Sequence, residues 1–299
     1  MDALRTNKNS VASHTACVGN AQKVIFFGFV ILGRASGERG EALKFLLIGC
    51  ILQIQMEQRD VKENIAGVLS QIRCAEKNAG RAEGGVKLLA VSKFHPVHQI
   101  EEAISAGQLC FGENRVQEAV VKFPEILKKN KDVHLHIIGQ LQTNKVKKAV
   151  EIASCIESVD RMPLLMEIER QCAKMGKTIE VLFELHTAED SKSGFENLAA
   201  LEEAVKFIVE GNAPHITPKG FMTLAPFTDD EEKIRRSFKT LKNASRVLNE
   251  KYSNFNMTEL SMGMSGDYKI AIEEGSTEVR IGTAIFGERN YSNTGPLEK

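Results

Sequence analysis

A lysine and two glycine-containing loops are the parts of this sequence that best suit covalent chemistry. Lys93 closes the apolar run Val86–Lys93, while S-M-G-M-S-G-D (Ser261–Asp267) and R-I-G-T-A-I-F-G (Arg280–Gly287) lie far downstream. A lysine amine can form a Schiff base with an aldehyde carbon, and backbone N–H groups in such loops suit a phosphate. Together they predict a phosphorylated aldehyde as ligand, and pyridoxal 5'-phosphate (PLP) is the obvious candidate.

The two loops offer donors for the phosphate. Gly263, Met264 and Ser265 precede a predicted helix, so their backbone N–H groups can contact a dianion, as can the Ser265 hydroxyl. Gly282 and Thr283 can close the other side of the phosphate. The same pattern also fits an ordinary turn in which Ser265 is a helix N-cap.

Lys93 has two interpretations as well. A lysine after an apolar strand is often only a solvated charge. As a Schiff-base former it must lose its proton, which a nearby cation such as Arg280 promotes. Arg280 could also hydrogen-bond the pyridine nitrogen of PLP and, because a guanidinium keeps its proton, leave that nitrogen unprotonated. The ring would then be a weak electron sink, which restricts the chemistry to mild carbanion steps or to none.

Short apolar runs and helical patterns alternate from Met56 onward. Strands are predicted at Lys87–Ser92, Leu109–Phe111, His134–Ile138, Cys155–Ser158, Glu180–Leu185, Ile216–Met222, Glu259–Met262 and Glu278–Ile281. Helices are predicted at Glu57–Lys77, Pro96–Ala106, Val116–Lys129, Asn144–Val150, Met162–Met175, Leu198–Glu210, Asp230–Lys251 and Ser265–Glu274. This alternation predicts a single (β/α)8 TIM barrel. A doubly wound open sheet is the alternative, weakened because no G-x-G-x-x-G follows the first strand.

The candidate residues should meet at one rim of such a barrel, because the chemistry of these folds lies at the carboxyl ends of the strands. Lys93 follows the first predicted strand, Asn114 follows the second and Met222 ends the sixth. His136 lies in the third strand and His186 ends the fifth. Each histidine is either a candidate base or a hydrogen-bonded residue that lines the barrel.

Composition limits the classes of partner. The 299 residues carry a formal net charge of zero, so no basic field indicates nucleic acid. The apolar runs Val24–Leu32 and Phe45–Leu52 are far shorter than the roughly 20 residues of a membrane span. None of the six cysteines forms C-x-x-C, so no metal site is predicted and free thiols favour a reducing, cytoplasmic compartment.

Residues 1–55 lack a regular strand–helix rhythm, and three interpretations are open. The stretch could be a targeting peptide, a disordered extension, or upstream sequence before a true start at Met56. The first interpretation would make a mitochondrial location possible. We favour a dispensable N-terminal extension over residues 1–55, a PLP-binding barrel over residues 56–290 and a C-terminal tail over residues 291–299.

Ordered motifs cover nearly the whole body of the chain, from Ala90 to Gly287. They are A-V-S-K, A-G-Q-x-x-F-G-E-N-x-V-Q-E, H-x-I-G-x-L-Q-x-N-K, S-V-D-R, S-K-S-G-F, G-x-M-T, S-M-G-M-S-x-D and R-I-G-T-A-I-F-G. In these motifs the chain resembles the pyridoxal phosphate homeostasis proteins. The resemblance does not extend to residues 1–55.

The resemblance implies a barrel like the N-terminal domain of alanine racemase, with PLP attached covalently to Lys93. It also implies the positions of other residues around PLP: Ser261, Ser265, Gly282 and Thr283 near the phosphate, Asn114 near the ring and Arg280 at the pyridine nitrogen. The implied role is not catalytic. Such a protein binds, buffers and delivers PLP, with PLP-dependent apo-enzymes as possible recipients.

The sequence departs from the family at the predicted rim. Arg115 stands where the family often has Tyr, and Leu135 stands where it often has Trp. The fifth strand reads L-F-E-L-H-T, whereas the family is richer there in Val and Asn. These changes leave Lys93 and the phosphate loops in place, and we expect them to alter cofactor packing.

A racemase-type PLP enzyme is the alternative to a PLP carrier. Only twelve residues follow Gly287, which leaves no room for the β-domain that racemases like alanine racemase place after the barrel. None of Tyr252, Tyr268 and Tyr291 has an evident place opposite Lys93, and acid–base catalysis needs a positioned donor. We therefore expect a monomeric carrier without robust catalysis. A barrel for another phosphate or sugar would leave Lys93 without a role.

Overall fold

The computed structural model describes residues 60–188 and 193–288. The predicted extension (residues 1–55), the predicted tail (291–299), the first residues of the helix predicted from Glu57, and Ser191 and Lys192 of the S-K-S-G-F motif lie outside the described residues. The predicted bounds of the barrel, 56–290, therefore stay a prediction. In the part of the chain that is described, no helix is both long and apolar enough to cross a bilayer.

Eight parallel strands close into a barrel in chain order, and β8 pairs with β1. The strands are β1 Lys87–Val91, β2 Cys110–Glu113, β3 His134–Ile137, β4 Cys155–Val159, β5 Ile179–Glu184, β6 Ile216–Met222, β7 Glu259–Met264 and β8 Glu278–Ile281. The closed sheet confirms the predicted (β/α)8 barrel and excludes the doubly wound open sheet.

Helices alternate with the strands around the outside. They are α1 Val61–Asn78, α2 Val97–Ser105, α3 Val116–Lys129, α4 Val146–Ile152, α5 Met162–Met175, α6 Leu198–Val209, α7 Glu231–Lys251, α8 Tyr268–Glu274 and α9 Thr283–Phe286, with a 3₁₀ turn at Thr143–Lys145. Side chains of Asp60, Asn197 and Asp230 accept backbone N–H groups where α1, α6 and α7 begin. These caps satisfy donors that have no partner within a helix.

The main apolar core lies between the strands and the helices. Leu135 and Ile137 of β3 are buried in this layer, as is Ile126 of α3. The rings of Phe111 in β2 and Phe123 in α3 are both fully buried, with centroids 6.1 Å apart. Burial of each such ring stabilises the fold by about 1.5–3 kcal/mol, which holds α3 firmly against β2.

Two predicted boundaries are wrong for reasons that involve glycine. β2 runs on to Glu113, past Gly112, where an added Cβ would lie 2.3 Å from Leu89 Cδ2. This glycine permits close packing inside the barrel and does not end the strand. β7 likewise runs through Gly263 to Met264, so α8 starts at Tyr268 and not near Ser265. The short helix α9 was not predicted.

Candidate functional site

Neighbouring strands bring Lys93 and the two predicted phosphate loops to the same part of the rim. Ala90 of β1 pairs with Ile281 of β8, so Lys93 and Gly282 both lie just beyond paired residues. A Cβ added to Gly282 would lie 2.9 Å from the Val91 carbonyl oxygen, which shows how closely the two strand ends approach. β7 pairs with the other side of β8. The Lys93 turn therefore lies next to the loop after β8 and one strand away from the loop after β7.

The turn that carries Lys93 has an unusual backbone. Lys93 is half-buried, and Phe94, the next residue, has φ of +66°. Among the described residues, Phe94 is the only one other than glycine with a positive φ, a conformation that disfavours a bulky side chain. The Phe94 N–H donates to Glu118 Oε1 of α3 at 2.5 Å. The strained turn is therefore tied to a helix.

Lys122 of α3 lies beneath this turn as a buried cation. Its Nζ donates to the carbonyl oxygens of Ser92 and His95, at 2.8 and 3.1 Å. The same nitrogen lies 2.6 Å from Glu113 and 2.8 Å from Glu118. We call Ser92, Glu113, Glu118 and Lys122 the lysine-turn network. It fixes the backbone on both sides of Lys93, and the sequence analysis missed it.

Burial shifts the acidity of this network. Glu113 is fully buried, and burial raises its pKa to about 7 although the Lys122 ammonium lowers it. The Ser92 hydroxyl donates to Glu113 Oε1 at 2.7 Å, whereas Glu113 Oε2 has no hydrogen-bond partner among the described residues. The network therefore includes a carboxyl group that titrates near neutral pH.

Asn114 and Arg115 lie at the same rim, directly after β2. Asn114 is half-buried, and a Cβ added to Gly139 would lie 2.4 Å from its carbonyl oxygen. The Arg115 guanidinium stacks over the Phe94 ring, 5.6 Å from its centroid. Through this cation–π contact, Arg115, which stands where the family often has Tyr, lies against the residue that follows Lys93.

The loop after β7 is shaped by backbone geometry. Gly263 has φ of +101°, and a Cβ there would lie 2.6 Å from Ala271 Cβ of α8. The Met264 N–H donates to Asp267 Oδ1 at 2.5 Å, so this donor already has a protein partner. Ser265 is exposed, and Asp267 is the residue that precedes α8. The Ser265 side chain thus faces solvent at the rim.

The loop after β8 is short and leads directly into α9. Gly282 is half-buried and precedes the helix, and Thr283 is exposed as its first residue. Asn64 of α1 holds α9 in place, because its side chain donates to the Ile285 carbonyl at 2.9 Å. The two predicted phosphate contacts therefore lie at an anchored helix start.

Arg280 is buried inside the barrel below these loops. Its Nη1 donates to the Ser261 carbonyl at 2.6 Å and to the Ser261 hydroxyl at 2.7 Å. Its Nη2 donates to the Thr223 carbonyl at 2.8 Å. A guanidinium with these partners has a fixed position and keeps its charge.

His136 and Ser261 point into a polar interior. His136 Nδ1 donates to Glu157 Oε1 at 2.6 Å, and the Ser261 hydroxyl donates to Glu157 Oε2, also at 2.6 Å. Burial opposes the charge on Glu157, yet the hydrogen bond from His136, the His136 charge and the Arg280 charge lower its pKa. Burial and the neighbouring Glu157 charge raise the pKa of Glu278 to about 8.

Met222 and His186 occupy different surroundings. Met222 is fully buried with Cys155 and Leu182 in a small apolar cluster. His186 is half-buried, with Nδ1 3.3 Å from the Ser193 carbonyl oxygen. The structure therefore places His186 on the β5 side of the rim and not beside Lys93 in the sheet order.

A cavity of about 580 Å³ also opens at this rim, between the loops that follow β3, β4 and β5. Gln140, Asp160, Arg161 and Gly194 are among its lining residues. None of the predicted cofactor contacts lines it. We place the candidate site at β7, β8 and β1 nonetheless, because the Lys93 turn and the two loops predicted to contact a phosphate lie on neighbouring strands there.

Known proteins resemble this chain in both sequence and fold. A family model described as the alanine racemase N-terminal domain matches residues 69–290. A pyridoxal phosphate homeostasis protein of Aquifex aeolicus (strain VF5) is 40% identical over 230 residues, which are 77% of this chain and 98% of that protein. A protein of the same name from Mus musculus is 39% identical over 225 residues, 71% of this chain and 80% of its own length.

One similar protein has been solved with PLP bound. It is PipY of Synechococcus elongatus PCC7942, which is 33% identical with a TM-score of 0.67. The match covers 76% of this chain and 100% of that chain.

Proposed function

We propose, from the premise that this chain belongs to the family of pyridoxal phosphate homeostasis proteins, that it binds PLP covalently through Lys93 and holds and delivers the cofactor without robust catalysis. The observation that carries the proposal is the meeting of the Lys93 turn with the loops after β7 and β8 on adjacent strands. An amine and a set of hydroxyl and backbone donors at one rim would match the two functional ends of PLP.

The residues present fit the cofactor. Bound PLP would supply an aldehyde, and Lys93 would be the amine that holds it covalently. Ser265, Gly282 and Thr283 would hold the phosphate with hydroxyl and backbone donors. Asn114 would lie near the ring, with His136, Met222 and Ser261 lining the barrel beneath, and Gly263 and Met264 would shape the loop.

Arg280 supports a carrier more than an enzyme. Its guanidinium is fixed by Ser261 and Thr223 and keeps its protons. Facing a pyridine nitrogen, it would leave that nitrogen without a proton and so weaken the ring as an electron sink. Strong carbanion chemistry is then disfavoured.

The described tyrosines also support a carrier. The Tyr252 hydroxyl donates to Glu202 at 3.0 Å, and the Tyr268 hydroxyl donates to Gln71 at 2.8 Å. Gln71 belongs to α1, Glu202 to α6, and both helices lie on the outside of the barrel. Neither hydroxyl is placed as a second base at the rim.

The test combines binding with turnover. The full chain is mixed with PLP and its absorbance recorded, then incubated with single enantiomers of amino acids. We expect a yellow protein that leaves each enantiomer unchanged. A protein that stays colourless contradicts the cofactor proposal, whereas sustained racemisation favours the PLP-dependent racemase.

Delivery, location and assembly are further parts of the proposal. A cytoplasmic monomer that transfers PLP should reactivate a PLP-dependent apo-enzyme, with the cofactor lost from the carrier as the recipient gains activity. Sedimentation of the holo-protein, a separate measurement, gives its mass and so tests whether it is a monomer. An apo-enzyme that gains nothing from the loaded carrier would limit the role to storage.

A further inference from the structure

Three potential metal ligands meet inside the barrel, at the end opposite the Lys93 rim. Cys110 is the first residue of β2 and Glu278 is the first residue of β8. His136 is the third residue of β3, the strand next to β2. Cys110 Sγ lies 3.4 Å from His136 Nε2, and one Glu278 carboxylate oxygen lies within 4.8 Å of both. We call these residues the lower cluster.

One carboxyl oxygen of Glu278 is buried without a hydrogen-bond partner among the described residues. The residue is 2% exposed, and the oxygen concerned is its Oε1. A buried carboxylate oxygen is normally paired, because leaving it unpaired costs free energy. A ligand in the lower cluster would supply the missing partner.

His136 is oriented as a metal-binding histidine would be. Its Nδ1 donates to Glu157 at 2.6 Å, which directs Nε2 toward Cys110. Glu157 is itself held by the Ser261 hydroxyl at 2.6 Å. A carboxylate behind the imidazole fixes the ring and strengthens it as a ligand, as in metal sites with a hydrogen-bonded outer layer.

We propose that Cys110, His136 and Glu278 bind one divalent transition-metal ion, with Zn²⁺ as the best match. Thiolate, imidazole and carboxylate are the donors that zinc prefers, and three protein ligands leave one position open. Ligands of a tetrahedral zinc ion lie roughly 3.3–3.8 Å apart, given its bond lengths. The Cys110–His136 separation of 3.4 Å falls in that range, and a Glu278 carboxylate oxygen lies within 4.8 Å of both ligand atoms.

Charge and access agree with such an ion. The interior holds the carboxyl groups of Glu157 and Glu278, while the Arg280 guanidinium donates to Ser261 and Thr223. A divalent ion would displace the protons of the Cys110 thiol and of the Glu278 carboxyl group when it binds. Cys110 is partly exposed, which gives an ion a route from the amino-terminal end. Because the ligands come from three strands, no local sequence motif indicates the site.

The test titrates the full chain, reduced and freed of metal by chelation, with Co²⁺ alone. We expect one bound ion with a thiolate-to-cobalt charge-transfer band and the strong visible bands of a four-coordinate ion, all removed by one equivalent of Zn²⁺. Cobalt that shows no thiolate band with the wild-type protein would overturn the proposal.

Variants assign the ligands. Cys110→Ser should remove the thiolate band, and Glu278→Gln should weaken Zn²⁺ binding by roughly tenfold or more. Cys74→Ser, which changes an exposed thiol on α1, is the matched control and should bind as the wild type does. Circular dichroism checks that each variant folds. A band that survives Cys110→Ser and disappears in Cys155→Ser contradicts the assignment.

Discussion

The turn that carries Lys93 and the loop after β7 lie at one rim but are held in place differently. The turn depends on buried charge, because Lys122 and Glu118 of α3 bind its carbonyl and N–H groups. The loop depends on backbone shape, because Gly263 adopts φ of +101° against α8. The half-buried Asp267 accepts the Met264 N–H within this loop, and Arg280 donates to Ser261 where the loop leaves the barrel.

The difference follows from what each part must do. A Schiff base requires one nitrogen at one position, and only a rigid support keeps a flexible lysine within reach. A phosphate accepts several weaker donors, which a loop of the right shape provides together. Damage to the turn should therefore affect covalent attachment, whereas damage to the loop should affect affinity for the phosphate.

Lys93→Ala should have the largest effect, because it removes the amine itself. We expect complete loss of the Schiff-base absorbance after PLP addition, with the fold unchanged by circular dichroism. Lys145→Ala, which alters a lysine in the 3₁₀ turn after β3, is the control and should keep the absorbance. A K93A protein as yellow as the wild type would contradict covalent attachment at this residue.

Lys122→Met should damage the turn next most severely. It leaves two carboxylates and two carbonyl oxygens without their buried cation, and such a loss typically costs about 3–5 kcal/mol. Urea unfolding measures the stability, and the rate of Schiff-base formation reports the position of Lys93. Lys128→Met, at an exposed site on the same helix, is the matched control. Equal behaviour of the two variants would show that the network does not position Lys93.

Gly263→Ala should damage the phosphate loop while leaving attachment possible. An alanine there has an unfavourable φ and a Cβ 2.6 Å from Ala271 Cβ, which we expect to cost about 2–4 kcal/mol. PLP affinity should fall roughly tenfold, about 1.4 kcal/mol, while affinity for pyridoxal, which lacks the phosphate, changes little. Gly266→Ala is the control, since nothing lies within 4 Å of its added Cβ. A parallel loss for both ligands would argue against a phosphate role.

Glu113→Gln should have the smallest effect, visible as a change in pH dependence. Because the folded pKa is about 7 against an ordinary value of 4.5, Glu113 holds its proton more tightly in the folded state. Its stabilising contribution is present below pH 4.5 and is lost as the pH rises through 7. Relative to the variant, the free energy of unfolding of the wild type should fall by about 2 kcal/mol between about pH 5 and pH 7.5. Parallel stability curves would disprove the shift.

Much of the barrel could be predicted from sequence because its strands are short apolar runs between capped or glycine-ended helices. The sequence could not predict whether a strand side chain points into the barrel or toward the helices, since parallel strands buried on both faces lack an alternating pattern. Glu157 and Glu278 therefore passed unnoticed, although both point into the barrel. The lysine-turn network had one local signal, the i,i+4 pair of Glu118 and Lys122, but its link to Ser92 depends on tertiary structure.

The positions of Lys93, Gly282 and Thr283 at the carboxyl ends of strands could be predicted, because their motifs follow apolar runs directly. Contacts were less predictable where a backbone or side-chain polar group has another partner within the protein. Met264 offers its N–H to Asp267, and His136 directs both ring nitrogens to protein groups. Such choices depend on distances between strands, which no single segment encodes.

The most direct measurement of covalent attachment is borohydride reduction of the PLP-loaded protein, followed by peptide mass spectrometry. Reduction makes the imine permanent, so the modified peptide identifies the nitrogen that carried it. We predict one pyridoxyl group, on Lys93, in the wild-type chain. Modification of another lysine in its place, or none at all, would contradict the account.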